Sequence, residues 1–437
     1  MKNTIHIILF LLVIISTTIA QDIYFPPKAG NTWEKVSLEK LNWNTDEVQP
    51  LYDFLSQKNT KAFILLKDGK IVIEKYFGTF SQDSNWYWAS AGKTLTSTLV
   101  GIAQNDDILS INDATSKYLG KNWTSMDLEK EQLITIKHQL TMTSGLDDKV
   151  DDLFCTNPEC LKYLADAGTR WSYHNAPYTI LDKVIEKASG KNFNLYFAEK
   201  IRNPIGMNGI WIKQDFNNIY YSTPRSMARF GLLIQNKGIW NKDTIIKDLN
   251  YYNEMANTSQ DLNKSYGYLW WLNGKESYML PQIKLVIKGN LSPEAPNDMF
   301  SALGKNGQIL NICPKSGLVM VRMGESPGGT ILDISSEFND DIWKYLNKII
   351  DNTNSLNDEY CPNVSLYPNP TEDYLNIKGN GIFQIYIYDI IGNLKYSKVS
   401  NPDLEQQVVE LNELNAGLYF VKIISQFGNS YNKFIKK

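Results

Sequence analysis

Histidine is scarce in this 437-residue chain, with three copies: His6, His138 and His174. Cysteine is too sparse for a disulfide-built scaffold, at four residues. No apolar run reaches the ~20 residues that a helical membrane span needs. Neither sign of charge dominates, since 44 Lys+Arg against 47 Asp+Glu leaves a net charge of −3. That balance excludes a global basic footprint for nucleic acid. A hydrophobic fraction of 43% with 21% charged residues excludes a wholly disordered or collagen-like chain. At roughly 100–200 residues per domain, the length implies two to four units. What is plentiful is aromatic: 25 Tyr, 17 Phe and 11 Trp. Aromatics fill large cores and line clefts alike. Trp86, Trp88, Trp270 and Trp271 are assigned to the core rather than to a cleft.

Residues 1–20 read as a secretory signal peptide. Lys2 supplies the positive n-region, Ile7 to Ile15 the apolar run, and Ser16 to Ala20 the small residues before Gln21. Export to an oxidising compartment makes the cysteines readable. Cys155 and Cys160 flank the turn-forming Thr156-Asn-Pro-Glu159 and are expected to form a local disulfide. Two thiols with no adjacent His or further Cys make a poor zinc site, and no metal or organic cofactor is expected. Cys313 and Cys361 either pair or remain free.

Residues 51–355 alternate helix and strand signals. Ala62–Leu66 and Ile71–Phe77 flank an Asp68-Gly69 turn and predict a hairpin. Helices are expected over Leu95–Gln104, Ile136–Thr143, Pro177–Ser189, Thr223–Lys237 and Ser335–Ile350. Gln308–Ile312 and Leu318–Met323 read as two apolar strands. Hairpins at both ends with helices between predict an α+β domain over 21–350, an antiparallel sheet flanked by helices plus a helical region. A polar linker is expected over 351–363. Residues 364–437 alternate short apolar runs with Gly- and Asn-rich turns and predict a small all-β, immunoglobulin-like sandwich.

Gly324-Glu-Ser-Pro-Gly328 matches the Gly-x-Ser-x-Gly elbow of α/β-hydrolases in form only. The residue after that nucleophile must donate a backbone N–H to the oxyanion, and Pro327 has none. No sequence feature sets a His beside a serine suited to attack. His138 and His174 are assigned hydrogen-bonding or packing roles.

Ser90-Ala-Gly-Lys93 is the stronger candidate. Residues three apart share a helix face, and a helix start favours a developing anion at Ser90. An ammonium in the first turn is misplaced against the helix dipole, and desolvation favours its neutral, serine-activating form. Two later segments add to it. Tyr173-His-Asn175 precedes a helix: a phenol among cations titrates low enough to serve as a base, and the Asn amide orients Lys93 or a substrate carbonyl. Lys305-Asn-Gly307-Gln308 opens a strand, with a cation at Lys305 and close backbone approach at Gly307.

Ser-x-x-Lys, Tyr-x-Asn and Lys-x-Gly, in that order, resemble the serine β-lactamase and penicillin-binding protein superfamily. Tyr-x-Asn points to the branch of class C β-lactamases, D-aminopeptidases, D-alanyl-D-alanine carboxypeptidases and esterases. Ile136-Lys-His-Gln-Leu-Thr-Met-Thr-Ser-Gly-Leu146, Ser222–Gly231 and Tyr266-Gly-Tyr-Leu-Trp-Trp271 are also similar to that family. The resemblance spans roughly residues 50–350. It implies a β-lactamase-like fold and an acyl-enzyme serine hydrolase acting on an ester, amide or peptide. Ser90 is then the nucleophile. Lys93 and Tyr173 share proton transfer, Asn175, Lys305 and Gly307 position substrate, and the backbone N–H groups of Ser90 and Gln308 form the oxyanion hole. The third motif departs from Lys-Thr-Gly: Asn306 lacks the hydroxyl that holds a substrate carboxylate. Rival readings are a true β-lactamase or D-alanyl-D-alanine carboxypeptidase, and a non-catalytic binding protein of the same fold.

Leu366-Tyr-Pro-Asn-Pro370, Tyr374-Leu-Asn-Ile377 and Gly417-Leu-Tyr-Phe-Val-Lys422 resemble the type IX secretion C-terminal sorting domain of Bacteroidetes. That resemblance implies the type IX secretion machinery as a partner and a secreted or cell-surface location. It carries an address rather than chemistry.

Overall fold

The computed structural model describes residues 23–328, 334–350, 364–390, 393–425 and 428–437. The expected signal peptide and linker, with Cys361, lie outside these residues. The chain divides into two compact units, the first reaching Ile349 and the second taking in Ile350–Lys437.

The first unit is built on a six-stranded antiparallel sheet. Its order is Lys70–Tyr76, Thr60–Lys67, Leu318–Gly324, Gln308–Cys313, Phe300–Gly304 and Trp271–Leu272. The expected hairpin is its edge pair. Asp68 and Gly69 both take positive φ, 48° and 83°, which suits a two-residue turn between right-twisted strands. The three strands from Phe300 to Gly324 are buried at every position. They are continuous rather than alternating because helices cover both faces. The helix Pro224–Gln235, capped by the Thr223 side chain, crosses one face. Gly231 permits that approach, since a Cβ there would stand 2.5 Å from Val319 and 2.7 Å from Leu310. On the other face Asn311 donates to Asn339 of the helix Ser336–Ile350 at 2.7 Å.

The helical region centres on Lys93–Asn105, buried from Lys93 through Ala103. A helix enclosed on all sides does not need an amphipathic stripe, which is why Thr94, Thr96, Ser97 and Thr98 occupy it. It packs against the helix Asn175–Ser189, which ends at the left-handed Gly190. The expected helix over 136–143 is shorter, Ile136–Leu140, and His138 closes its capping box with Thr135. Trp88, Trp270 and Trp271 are buried in this unit and Trp86 is half-buried.

The second unit is all strand. One sheet orders Ser365–Tyr367, Tyr374–Lys378 and Gln406–Glu410; the other orders Leu394–Val399, Ile382–Tyr388, Gly417–Ser425 and Gly428–Lys436. Alternate residues point inward, as Leu375 and Ile377, Ile385 and Ile387, and Val421 and Ile423 show. That period of two is how a sandwich fills its core from two sheets.

Candidate active site

Ser90 sits in a single 3-10 turn, Ala89–Gly92, immediately before the Lys93 helix. Ala89 holds φ at +46°, a left-handed value that costs a non-glycine residue of order 1 kcal/mol. Ser90 thus stands just ahead of the helix, in a strained turn rather than in the helix itself. Gly304, at the end of its strand, lies against it. A Cβ on Gly304 would come within 2.5 Å of the Trp88 carbonyl oxygen and 3.2 Å of the Ser90 nitrogen. Only glycine lets the strand approach so closely.

Lys93 is 3% exposed. Its Nζ lies 2.9 Å from Ser90 Oγ and 2.7 Å from Asn175 Oδ1. Asn175 is the first residue of its helix and accepts from the amine. Two phenol rings face the same nitrogen, Tyr173 with its centroid at 5.1 Å and Tyr178 at 4.3 Å. Tyr173 is itself held by stacking on Trp271 at 5.6 Å. Complete burial pushes the Tyr178 phenol well above its ordinary range.

Lys305, Asn306 and Gly307 form a tight turn between Phe300–Gly304 and Gln308–Cys313. Asn306 takes φ +62° and donates to the Tyr87 hydroxyl at 2.7 Å. Its amide is therefore engaged with the protein. The turn is held from beneath by Arg322, which is wholly buried. All five of its N–H groups have an acceptor: Thr60 Oγ1 and the carbonyls of Asn306, Gly307, Lys58 and Glu325. Burial without a carboxylate partner pulls the guanidinium down to about 9. Gly307 turns toward this support, for a Cβ there would meet Arg322 Nη1 at 2.8 Å. The Gln308 side chain points the same way, bonded to both the N–H and the carbonyl of Gly324. Of the three residues expected at this edge, Lys305 lines the cavity, while Gly307 and Gln308 are not among its lining.

The Tyr173 segment is pinned by an ion cluster. Asp148 accepts from Arg170, Ser172 and Lys284. Burial alone would raise its carboxyl, but these three donors hold it well below the usual carboxylate range. His174 is 2% exposed, and neither ring nitrogen has a hydrogen-bond partner among the described residues. Burial lowers it to about 4, so it is neutral at pH 7. Cys155 and Cys160 are disulfide-bonded, and Cys313 is a buried free thiol. The bridge steadies the loop whose Leu153 and Phe154 wall the site. Ser326, of the rejected elbow, is exposed.

The cavity beside Ser90 has a volume of about 410 Å³. Ser90, Lys93, Asn175, Tyr178 and Lys305 line it, with Tyr87, Leu153, Phe154, Ile219 and Gln282 among its walls. A serine hydroxyl, a buried amine on it, and a turn with a cation opposite suit attack on a carbonyl. Tyr178, Tyr87, Gly304 and Arg322 are the residues that sequence reasoning missed here.

Comparison with known proteins agrees with this architecture. Residues 57–330 match the family model for beta-lactamase, and residues 365–437 match that for a secretion system C-terminal sorting domain. The chain belongs to the beta-lactamase and penicillin-binding-protein-like family of serine hydrolases. An uncharacterized protein of Alkalihalophilus pseudofirmus is 25% identical over 308 residues, 61% of this chain and 84% of that one. A proposed 6-aminohexanoate-dimer hydrolase from Bacillus anthracis superposes with a TM-score of 0.57 at 20% identity, covering 75% of this chain and 91% of that one. A family VIII carboxylesterase gives 0.53 at 15% identity, covering 68% and 96%. These two structures share the fold. The sorting domain marks the chain for export by the type IX secretion machinery, to the cell surface or beyond. No helix among the described residues is long and apolar enough to cross a membrane.

Proposed function

We propose that the protein is an exported acyl-enzyme hydrolase of esters or amides, with Ser90 as nucleophile. The observation that carries this is the Lys93 amine, set between Ser90 Oγ and Asn175 Oδ1 on the wall of a substrate-sized cavity. Lys93, as the neutral amine, takes the Ser90 proton while Oγ forms a bond to the substrate carbonyl carbon. The resulting oxyanion is received by backbone N–H groups of Ser90 and Lys305; the contact of Gly304 with the Ser90 turn supports Lys305 rather than Gln308 as the second donor. Collapse breaks the bond to the leaving group, which takes a proton from the Lys93–Tyr173 pair. Water then attacks the acyl-serine, giving up its proton to the same pair, and the acid product leaves with Ser90 restored. Residues 1–20 act as the signal peptide and 364–437 direct delivery.

Asn306 stands where a Lys-Thr-Gly motif carries its hydroxyl, and its amide is engaged with Tyr87; this favours ester or neutral amide substrates over β-lactams and D-alanyl-D-alanine ends, whose carboxylate that hydroxyl holds. Turnover of a 4-nitrophenyl ester and of nitrocefin tests this directly. The ester should be hydrolysed faster, and Ser90→Ala should abolish the reaction. Nitrocefin as the better substrate would reverse the assignment. Unchanged ester turnover in Ser90→Ala would end it.

A further inference from the structure

A second cavity of about 320 Å³ adjoins the catalytic one. Asn217 and Asn218, at the start of the strand Asn217–Ser222, line both. Asp182, on the helix that begins at Asn175, and Trp211, on the strand Ile210–Gln214, line the second. Two residues of these walls each hold a buried polar atom with no hydrogen-bond partner among the described residues: Asp182 Oδ1, an acceptor, and Trp211 Nε1, a donor. Trp211 is 3% exposed, and its six-membered ring reaches the nucleophile turn, since a Cβ on Gly92 would lie 3.4 Å from it. The other carboxylate oxygen of Asp182 accepts from Asn218 Nδ2 at 2.8 Å. A buried acceptor and a buried donor left unmade are costly, and a ligand that supplies both partners recovers that cost.

We propose that this second cavity is a substrate subsite that binds a protonated amine on Asp182 and an adjacent carbonyl or hydroxyl oxygen on Trp211 Nε1. The enzyme is thereby selective for amine-bearing esters or amides. The inference rests on the acyl-enzyme reading of Ser90 and names the substrate class for that site. Phe193 and Phe216 add apolar wall to the same cavity. The charged groups facing Asp182 are Lys183, Glu186 and Lys213. Glu186 is already engaged by Asn192 and the Phe193 N–H. Lys213 opposes a bound cation. Burial pushes Asp182 up to about 7, with the Asn218 hydrogen bond and Lys213 lowering it and Glu186 raising it. A carboxyl poised there ionises fully when an ammonium arrives.

The test uses the full exported chain and a matched pair of 4-nitrophenyl esters whose acyl chains end in a primary ammonium or a methyl group. The ammonium ester should be preferred by about tenfold or more in kcat/KM, chiefly through KM. Asp182→Asn should erase most of that preference, and Trp211→Phe, which keeps the ring, should reduce it a few-fold. Lys213→Ala should raise the preference, so the proposal stays testable should Asp182→Asn fail to fold. The preference should grow from pH 6 to 8 in the wild type and stay flat in Asp182→Asn. Equal turnover of both esters, or a Lys213→Ala enzyme with unaltered preference, overturns the amine subsite and leaves the Ser90 reading intact. Separately, saturation-transfer NMR on Ser90→Ala compares β-alaninamide with propionamide. Binding of the former alone supports the subsite even if neither ester is hydrolysed, in which case the catalytic reading is what fails. Binding of neither, or of both alike, overturns the subsite.

Discussion

The two units bury polar groups very differently. Among the described residues, the buried charged side chains all lie in the first unit: Lys93, Glu131, Arg229 and Arg322. The second unit buries only uncharged polar residues, Thr371, Ser400, Gln407 and Ser425, around a core of Ile, Leu, Val and aromatic side chains. An address domain needs a surface and a stable core, and an apolar interior supplies the latter most cheaply. The proposed mechanism holds an amine out of water beside a serine, and burying such a group costs several kcal/mol in its charged form unless it is hydrogen-bonded. The first unit meets that cost with Asn175 under Lys93 and five acceptors around Arg322. Chemistry is located where the protein tolerates expensive burial.

The largest expected effect separates a working phenol from a packed one. Tyr173→Phe keeps the stack on Trp271 and removes one oxygen. We expect kcat/KM to fall by ~10²–10⁴-fold with the melting temperature nearly fixed. Activity within about threefold of wild type would make Tyr173 a core aromatic only. Next in size, Arg322→Leu strands five acceptors beneath the Lys305 turn and should destabilise the first unit by ~3–5 kcal/mol. The contrasting change, Ile385→Ala in the second unit, should cost ~2–5 kcal/mol there by opening a cavity, with ester turnover unaltered. Denaturant titration read by tryptophan fluorescence, whose eleven reporters all precede residue 344, follows Arg322→Leu, and the proteolytic susceptibility of residues 364–437 across the same titration follows Ile385→Ala. An Arg322→Leu protein of wild-type stability would contradict the structural role given to that guanidinium.

His174 makes the comparison pH-dependent. It titrates at about 4 in the folded state against an ordinary 6.5. Between those values the unfolded chain binds a proton that the folded chain refuses. Stability should therefore fall as pH drops from about 6.5 to 4, by on the order of 3 kcal/mol, and the His174 term should level off below that. The slope should flatten in His174→Asn; an identical acid profile in that variant would assign the loss elsewhere. The smallest effect is that of the Cys155–Cys160 bridge, which closes a short loop and is worth about 2 kcal/mol. Thermal unfolding with and without reductant measures it, and no shift would show that the loop is held by its other contacts.

Sequence reading reached the parts of the site that local chemistry marks. Ser90 and Lys93 are three apart, and Tyr173 and Asn175 two apart, so their proximity within each pair needs no tertiary information. The Asp68-Gly69 hairpin and the end of the helix at Ser189 were legible for the same reason. Arg322 was not, because a single charge in an apolar strand gives no sign that four carbonyls and a hydroxyl surround it. Gly304 looked like any strand end until the Ser90 turn lay against it. The helix over 136–143 was placed too long because Thr141 to Thr143 are acceptable in a helix but are taken by the turn leading to Ser144. Asp182 and Asn218 are 36 residues apart, and Asp148 and Lys284 are 136 apart. Only the fold brings such pairs together.

The account stands on Ser90 becoming acylated, and one measurement asks that alone. The protein is incubated with a fluorophosphonate, and the adduct is located by peptide mass mapping. We predict a single modified serine, Ser90, formed at a rate that collapses in Lys93→Ala. An adduct on Ser326 or another serine, or labelling of Ser90 at an unchanged rate without the Lys93 amine, would contradict the central claim.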